Sequence, residues 1–456
     1  MNGPPDQLRL IEARRIVLDG LTRRFLTSDG LMARNNPPDA RSLFDNFDDT
    51  APFVLAAGGA PFLLDQIARL PADPFADLLA EGGVVYAYGV DEFAGGLAAV
   101  HRATGDPAAG ARAAAAFVKA RELFADDRLG LSECVDLTDG RRSPNFAPWS
   151  AALIEAALEG DRPDPAWIAA GARTMTLWLA HPFVRRHGLF PHRGAFGAAR
   201  AVADRLAFLA GRRAAGHPHG PARGLSRRVA RWRYDWTRSG SFARLMKSNT
   251  SPFFALLALA DVDRSADWHA AAGRWLDAAC ARLESAGAVR GVWTPAGPEG
   301  PPTLLDAFIL VDALCDAYWR LAPEPRWLDA ALRIAAFALG WRRPDGLIPS
   351  VPDGDTAHID HQVDFAVSLA RVAQLAGRAD FARAAYALIA AIVERHATPT
   401  GFATHVGRDG KPVLSGRRNE VDPKYNALLL KGILLAETID MPIYGDTARM
   451  DLFKDR

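Results

Sequence analysis

The residues that invite a chemical reading are acidic pairs standing where apolar helices begin. Asp48 and Asp49, in the string Asp45-Asn46-Phe47-Asp48-Asp49-Thr50, lead into the apolar run 51–57. One carboxylate at a helix start has a structural use, because it caps free N–H groups and faces the positive end of the dipole. A second one beside apolar helix is expected to have a raised pKa, as a general acid requires. Asp360 and Asp364, in His358-Ile359-Asp360-His361-Gln362-Val363-Asp364, form another such pair on one helical face, with His361 alongside. The His-x-x-His spacing could hold a divalent ion, but it arises often by chance, and no metal ligand is assigned.

Other junctions offer groups that bind rather than react. Tyr88 lies in Tyr86-Ala87-Tyr88-Gly89-Val90-Asp91-Glu92, where Asp91 or Glu92 would cap a helix over 93–100. It can pack, act as a platform for a sugar ring, or move a proton. Trp149, at the start of a helix over 150–158, suits either core packing or stacking on the C–H face of a pyranose. The segment 223–249 carries eight basic residues, Arg244 and Lys247 among them, against the single acid Asp235, with Trp232, Tyr234 and Trp236 interleaved. It reads as a solvated basic face or as a holder of anionic groups. Asn249, entering the next apolar helix, is a good cap and a candidate for neutralising a carboxylate. In the last junction, 417–426, Asp422 caps and Pro423 takes the first helical position. Arg417, Lys424 and Tyr425 precede a fully apolar helix, and so should project towards whatever the interior holds.

These junctions recur because the chain repeats itself. A glycine followed by an apolar residue returns at Gly30, Gly130, Gly188, Gly291, Gly346 and Gly401, with 55 residues from 291 to 346 and again from 346 to 401. That period accommodates a helical hairpin and its loops. Within each unit an apolar helix such as 303–321 is followed by a more amphipathic one such as 325–341, the pattern of inner and outer layers. A constant hairpin length permits an open solenoid or a closed ring. Closure is favoured, because the Pro- and Asp-containing loops all fall at one end of the apolar helices, where a ring would gather them around one pocket.

This grammar of helix and loop resembles the six-hairpin toroid glycosidases and their relatives among polysaccharide lyases and sugar epimerases. The resemblance implies an all-α toroid, (α/α)6 or (α/α)7, occupying 1–456 as a single domain. It also implies a saccharide substrate. Together with the acidic pairs and the arginines, it leads to hydrolysis of an acidic oligo- or polysaccharide as the leading expectation. Asp48 or Asp49 would then share acid and base roles with Asp360 or Asp364. Tyr88, Trp149, Arg244, Lys247, Asn249, Arg417 and Lys424 would hold the substrate. The alternatives are lyase or C5-epimerase chemistry at a uronate, in which Tyr425, Tyr88 or His361 moves the proton, and a saccharide-binding toroid without turnover.

Composition narrows the field further. The 456 residues carry 54 basic and 53 acidic groups, a net charge of +1, so no global field draws nucleic acid or an anionic membrane. Only six of the basic residues are lysine, and guanidinium favours forked contacts with carboxylate or phosphate. Three scattered cysteines fit reduced thiols, and no apolar window is long enough to span a bilayer. A cytoplasmic protein is expected. Phosphate-cradling and dinucleotide glycine motifs are missing, as is a nucleophile elbow, so no cofactor is expected.

Overall fold

The computed structural model describes residues 7–33, 47–73, 75–76, 83–143, 146–159, 163–192, 243–245, 248–294, 296–414 and 420–453. Helices dominate, and they alternate between two layers as the hairpin repeat predicts. We number them α1 (Gln7–Asp19), α2 (Phe47–Ala56), α3 (Ala60–Ala68), α4 (Ala87–Thr104), α5 (Pro107–Phe124), α6 (Ala151–Leu158) and α7 (Pro165–Leu179). The second half adds α8 (Thr250–Val262), α9 (Trp268–Cys280), α10 (Leu304–Arg320), α11 (Pro325–Leu339), α12 (Ile359–Ala376), α13 (Ala379–Arg395) and α14 (Pro423–Glu437).

The even-numbered helices form the inner layer. Each packs on the next, α2 on α4, then α6, α8, α10, α12 and α14, and α14 returns to pack on α2. The ring is therefore closed, and the fold is an (α/α) toroid. Odd-numbered helices lie outside it, each against the inner helix of its own hairpin, while α1 covers α14 and α13.

Local chemistry explains the alternation. Inner helices such as α8 and α14 are apolar nearly all round and buried along almost their whole length. Outer helices are stopped and started by polar caps. Asp106, Asp164 and Asp267 accept N–H bonds of 2.7, 2.8 and 2.9 Å from Ala109, Ala166 and Ala270, each worth about 1 kcal/mol. Close approach of α2 to α4 depends on glycine, since a Cβ at Gly96 would meet the Phe47 backbone at 2.7 Å.

The repeated glycine has a matching device. After Gly30, Gly188, Gly346 and Gly401, all with positive φ, the chain runs briefly extended and a later amide side chain grips its backbone. Gln66 accepts from Met32 N (2.7 Å) and donates to Gly30 O (2.9 Å). Asn249 does the same to Phe190 N and O (2.8 and 3.0 Å), and Asn426 to Phe402 N and O (2.8 and 2.9 Å). Gln362 accepts from Ile348 N at 3.0 Å. These clasps seat each loop on the ring.

At the C-terminal ends of the inner helices a buried ionic network closes the toroid. Arg371 of α12 donates to Asp316 of α10 at 2.9 Å and to the Phe453 carbonyl, and lies 3.9 Å from Asp312. Ser368 Oγ donates to Asp312 (2.7 Å), and Tyr444 Oη donates to Asp316 (2.9 Å). No described helix is long and apolar enough to cross a membrane.

Candidate active site

The opposite end of the ring gathers the charged groups that the sequence singled out. Helices α12, α14 and α2 are consecutive around the ring, so the starts of α12 and α2 face each other across α14. Asp360 and Asp364 come from α12, Lys424, Tyr425 and Lys431 from α14, and Asp49 from the first turn of α2. Lys431 Nζ donates to Asp364 Oδ1 at 2.7 Å and sits 5.7 Å from the ring centroid of Phe53.

Their ionisation is coupled. Desolvation pushes the Asp364 carboxyl up to about 6; Lys431 opposes the rise, while the negative charges of Asp360 and Asp49 add to it. Desolvation likewise raises Asp360, against the pull of Lys424 and with the like charge of Asp49 adding to the rise. Asp360 and Asp364, one turn apart on α12, perturb each other's ionisation. Both carboxyls therefore keep a proton to higher pH than an ordinary carboxylate, and Lys431 is the cation beside them. Asp360 is half-buried by area although desolvation dominates its chemistry, the combination expected of a group in a concave wall.

Histidines complete the wall. His358 stacks on His361 with ring centroids 4.6 Å apart, and meets His405 at 4.6 Å and Tyr425 at 4.7 Å edge to face. The ring of His358 is fixed by a two-residue antiparallel ladder, Ala357–His358 with His405–Val406. Desolvation drives His358 down to about 2, with the neighbouring histidines adding to the fall, and it lowers His361 as well. Both are neutral at pH 7. Among the described residues, the buried Nδ1 atoms of both rings lack a hydrogen-bond partner. Ligand atoms of His358, Asp360 and His361 lie within 4.8 Å of one another. Donors around a tetrahedral ion sit about 3.4 Å apart, so this set would have to contract to hold one.

Other expected binding groups fall in different places. Trp149 is half-buried against His192 at 5.3 Å, and His192 Nδ1 lies 2.9 Å from Ser248 Oγ. Arg244 is half-buried, and its charge acts on Asp306 at the start of α10, whose carboxyl burial raises to about 6. Tyr88 packs on Tyr86 at 5.5 Å.

Four expectations need correction or fall outside what can be described. Helix α4 begins at Ala87, so Tyr88 lies in its first turn and Asp91 and Glu92 are buried within the helix instead of capping it. Asn249 is fully buried, and its amide is consumed by Phe190, the Arg244 carbonyl (2.7 Å) and Trp275 Nε1 (3.0 Å), which leaves nothing for a ligand. Asp48 is buried towards Gly95 of α4, whereas Asp49 is the member of the pair whose charge reaches Asp360 and Asp364. Lys247, Arg417 and most of the basic segment 223–249 lie outside the described residues.

Sequence reasoning missed Lys431 and His405, and saw His358 only as half of a His-x-x-His spacing. A signal for Lys431 was present: a single charge inside the apolar run 427–435 must have a buried partner. His405 carried none, because only the ladder brings it to His358.

No protein-family profile and no curated protein sequence matches this chain. Solved structures do. A D-mannose isomerase superposes with a TM-score of 0.56 at 11% identity, over 96% of this chain and 99% of that one. Cellobiose 2-epimerase from Spirochaeta thermophila DSM 6192 gives 0.56 at 14%, over 95% and 98%. The unsaturated glucuronyl hydrolase responsible for glycosaminoglycan degradation in Bacillus sp. GL1 gives 0.50 at 12%, over 95% and 97%. At these identities the likeness establishes the toroid fold, and the chemistry must come from the residues.

Proposed function

We propose that this protein is a carbohydrate-active enzyme that hydrolyses an acidic oligo- or polysaccharide at the cluster of Asp49, Asp360 and Asp364. The observation that carries the reading is the grouping of Asp360 and Asp364, one turn apart on α12 beside Lys431, both raised by desolvation and both feeling the charge of Asp49 from another inner helix. A glycosidic bond needs a protonated carboxyl at the leaving oxygen and an ionised one for water or the anomeric carbon. Asp360, half-exposed and holding its proton against the usual carboxylate range, serves as the acid. Asp49 serves as the base or nucleophile. Asp364 and Lys431 act as positioning residues beside Asp360, while Trp149, Tyr88, Tyr425, Lys424 and Arg244 border the sugar. The structural neighbours, an isomerase, an epimerase and a hydrolase by name, all act on sugars, which supports the substrate class.

A second reading rests on a separate observation. Two neutral, stacked histidines with unspent Nδ1 atoms, His358 and His361, are equipped to take a proton from a sugar carbon and return it, the step of an epimerase or isomerase. One experiment separates the two. Oligosaccharides bearing uronate are incubated with the enzyme in D2O and followed by NMR. New reducing ends without deuterium at carbon support hydrolysis, and deuterium at a carbon without chain cleavage supports proton transfer. In the first case Asp360→Asn and Asp49→Asn remove turnover; in the second His361→Gln does.

A further inference from the structure

A second recess lies on the same face of the toroid, outside the ladder that carries His358 and His405. It is a cavity of about 680 Å³ between the segments 340–345 and 349–354, the end of α13 at Arg395, and the turn 408–410. Its walls hold four arginines, Arg342, Arg343, Arg395 and Arg408, beside Trp341.

What distinguishes this recess is the state of its donors and acceptors. Of its three aspartates, Asp345 spends both oxygens on its own turn and Asp409 spends one. Asp345 accepts from Leu347 N (3.0 Å) and from Arg343 (2.7 Å), and Asp409 accepts from Lys411 N (3.2 Å). The arginines have donors left over. Arg343 is tied to Asp345 through Nε and Nη2 and to the Gly407 carbonyl through Nη2, but its buried Nη1 has no hydrogen-bond partner among the described residues; Arg395 pairs with Glu394 through Nη2 at 3.2 Å, and its buried Nε has no hydrogen-bond partner among them. Arg342 makes no ion pair among them. Arg408 has only a loose, exposed contact with Asp355 at 3.7 Å. Asp353, also in the wall, is the single non-glycine described residue with positive φ (56°), so the turn is held in a conformation that usually needs a reason.

We infer that this recess binds an anionic sugar unit, its carboxylate or sulfate held by Arg342, Arg395 and Arg408 and its ring laid on Trp341. Guanidinium forks match both anions in geometry, and a Trp face accepts sugar C–H groups. The volume suits one or two sugar residues. The proposal rests on the reading of this protein as an enzyme of acidic saccharides, and extends it to a unit several residues from the one that reacts. Its position behind the shared ladder would let one chain occupy both places.

Hydrogen exchange of the full-length protein tests it, with D-glucuronate, N-acetylglucosamine 6-sulfate and neutral glucose as probes. Protection of peptides covering 340–354 and 405–412 by an acidic probe, absent with glucose, is the expected result. The carboxylate and sulfate arms show which anion is preferred. The double variant Arg342→Gln/Arg408→Gln should weaken that protection by roughly tenfold in probe concentration, while Asp49→Asn leaves it unchanged. Equal protection by glucose, no protection of these peptides, or protection that persists in the double variant overturns the inference. If the recess binds the acidic probe but no saccharide is turned over, the recess stands and the hydrolase reading falls. If turnover is intact and the recess stays silent, the reverse holds.

Discussion

Helix α12 takes part in a charge cluster at each end of the ring, and the two clusters differ in one respect that matters. At the C-terminal end, Asp312, Asp316, Ser368, Arg371 and Tyr444 pair with one another and are closed off by the chain around Phe453. At the N-terminal end, Asp360, His358 and His361 keep solvent access, and two imidazole nitrogens remain without partners. Burial and shifted ionisation occur in both: Asp312 and Asp364 are each raised to about 6. Neither property marks a site. Unpartnered buried atoms occur in both as well, Arg371 Nε among them; partial exposure of the residues themselves separates a cluster equipped to hold a ligand from one built to hold helices.

The comparison can be broken by substitution. Arg371→Ala leaves two carboxylates buried without their cation, and should lower stability by about 3–5 kcal/mol in denaturant unfolding. A small loss there would mean that the closed cluster is not structural. Asp360→Asn should do the converse, cutting kcat by about 10²–10⁴ on a cleaved saccharide with little change in the unfolding midpoint. Unaltered turnover would remove the acid from the proposed reaction. Asn426→Ala deletes a clasp, and is expected to cost about 2–3 kcal/mol of stability through orphaned backbone groups, with kcat unaffected per folded molecule. A full collapse of activity at unchanged stability would instead make the clasp part of the site.

The smallest effect is on pH. Asp364 and Asp312 have folded pKa values above the unfolded one, so the folded state binds their proton more tightly. Their contribution to stability is therefore present below the ordinary carboxylate range and lost as pH rises through about 6. Asp364→Asn and Asp312→Asn should each flatten that fall, measured as unfolding free energy between pH 4 and 7. Only the N-terminal cluster should also shape catalysis. Turnover is expected to decline with rising pH as Asp360, held above the usual carboxylate range, loses its proton, and Asp312→Asn should leave that limb in place.

Much of the architecture was legible in the sequence because it is periodic. Apolar and amphipathic helices alternate at a fixed period, and closure followed from loops that share one end. Helix starts were less legible. Tyr86 to Glu92 looked like a cap followed by a helix, but Asp91 and Glu92 are drawn inside α4 because the buried ring end can hold charged groups there. At the site, the spacing of Asp360 and Asp364 on one face was readable from the chain alone. Their relation to Asp49 and Lys431 was not, since it depends on which helices become neighbours when residues more than 300 positions apart close the ring. Asn249 shows the opposite error. Its position before an apolar helix suggested a ligand, but it grips backbone, as Asn426 and Gln362 do from the first turns of α14 and α12.

Those amides carry a consequence for how the toroid can be altered. The residues they join are 14, 24, 34 and 59 positions apart, yet the local grip is alike in each case. Lengthening a flexible loop from the shortest of these to the longest adds only about 1 kcal/mol of closure entropy. Where no helix lies between the clasp points, as over 349–358 before α12, the loop is held at both ends by the ring and open to insertion, so selectivity for a substrate can be rewritten there while the helices stay where they are.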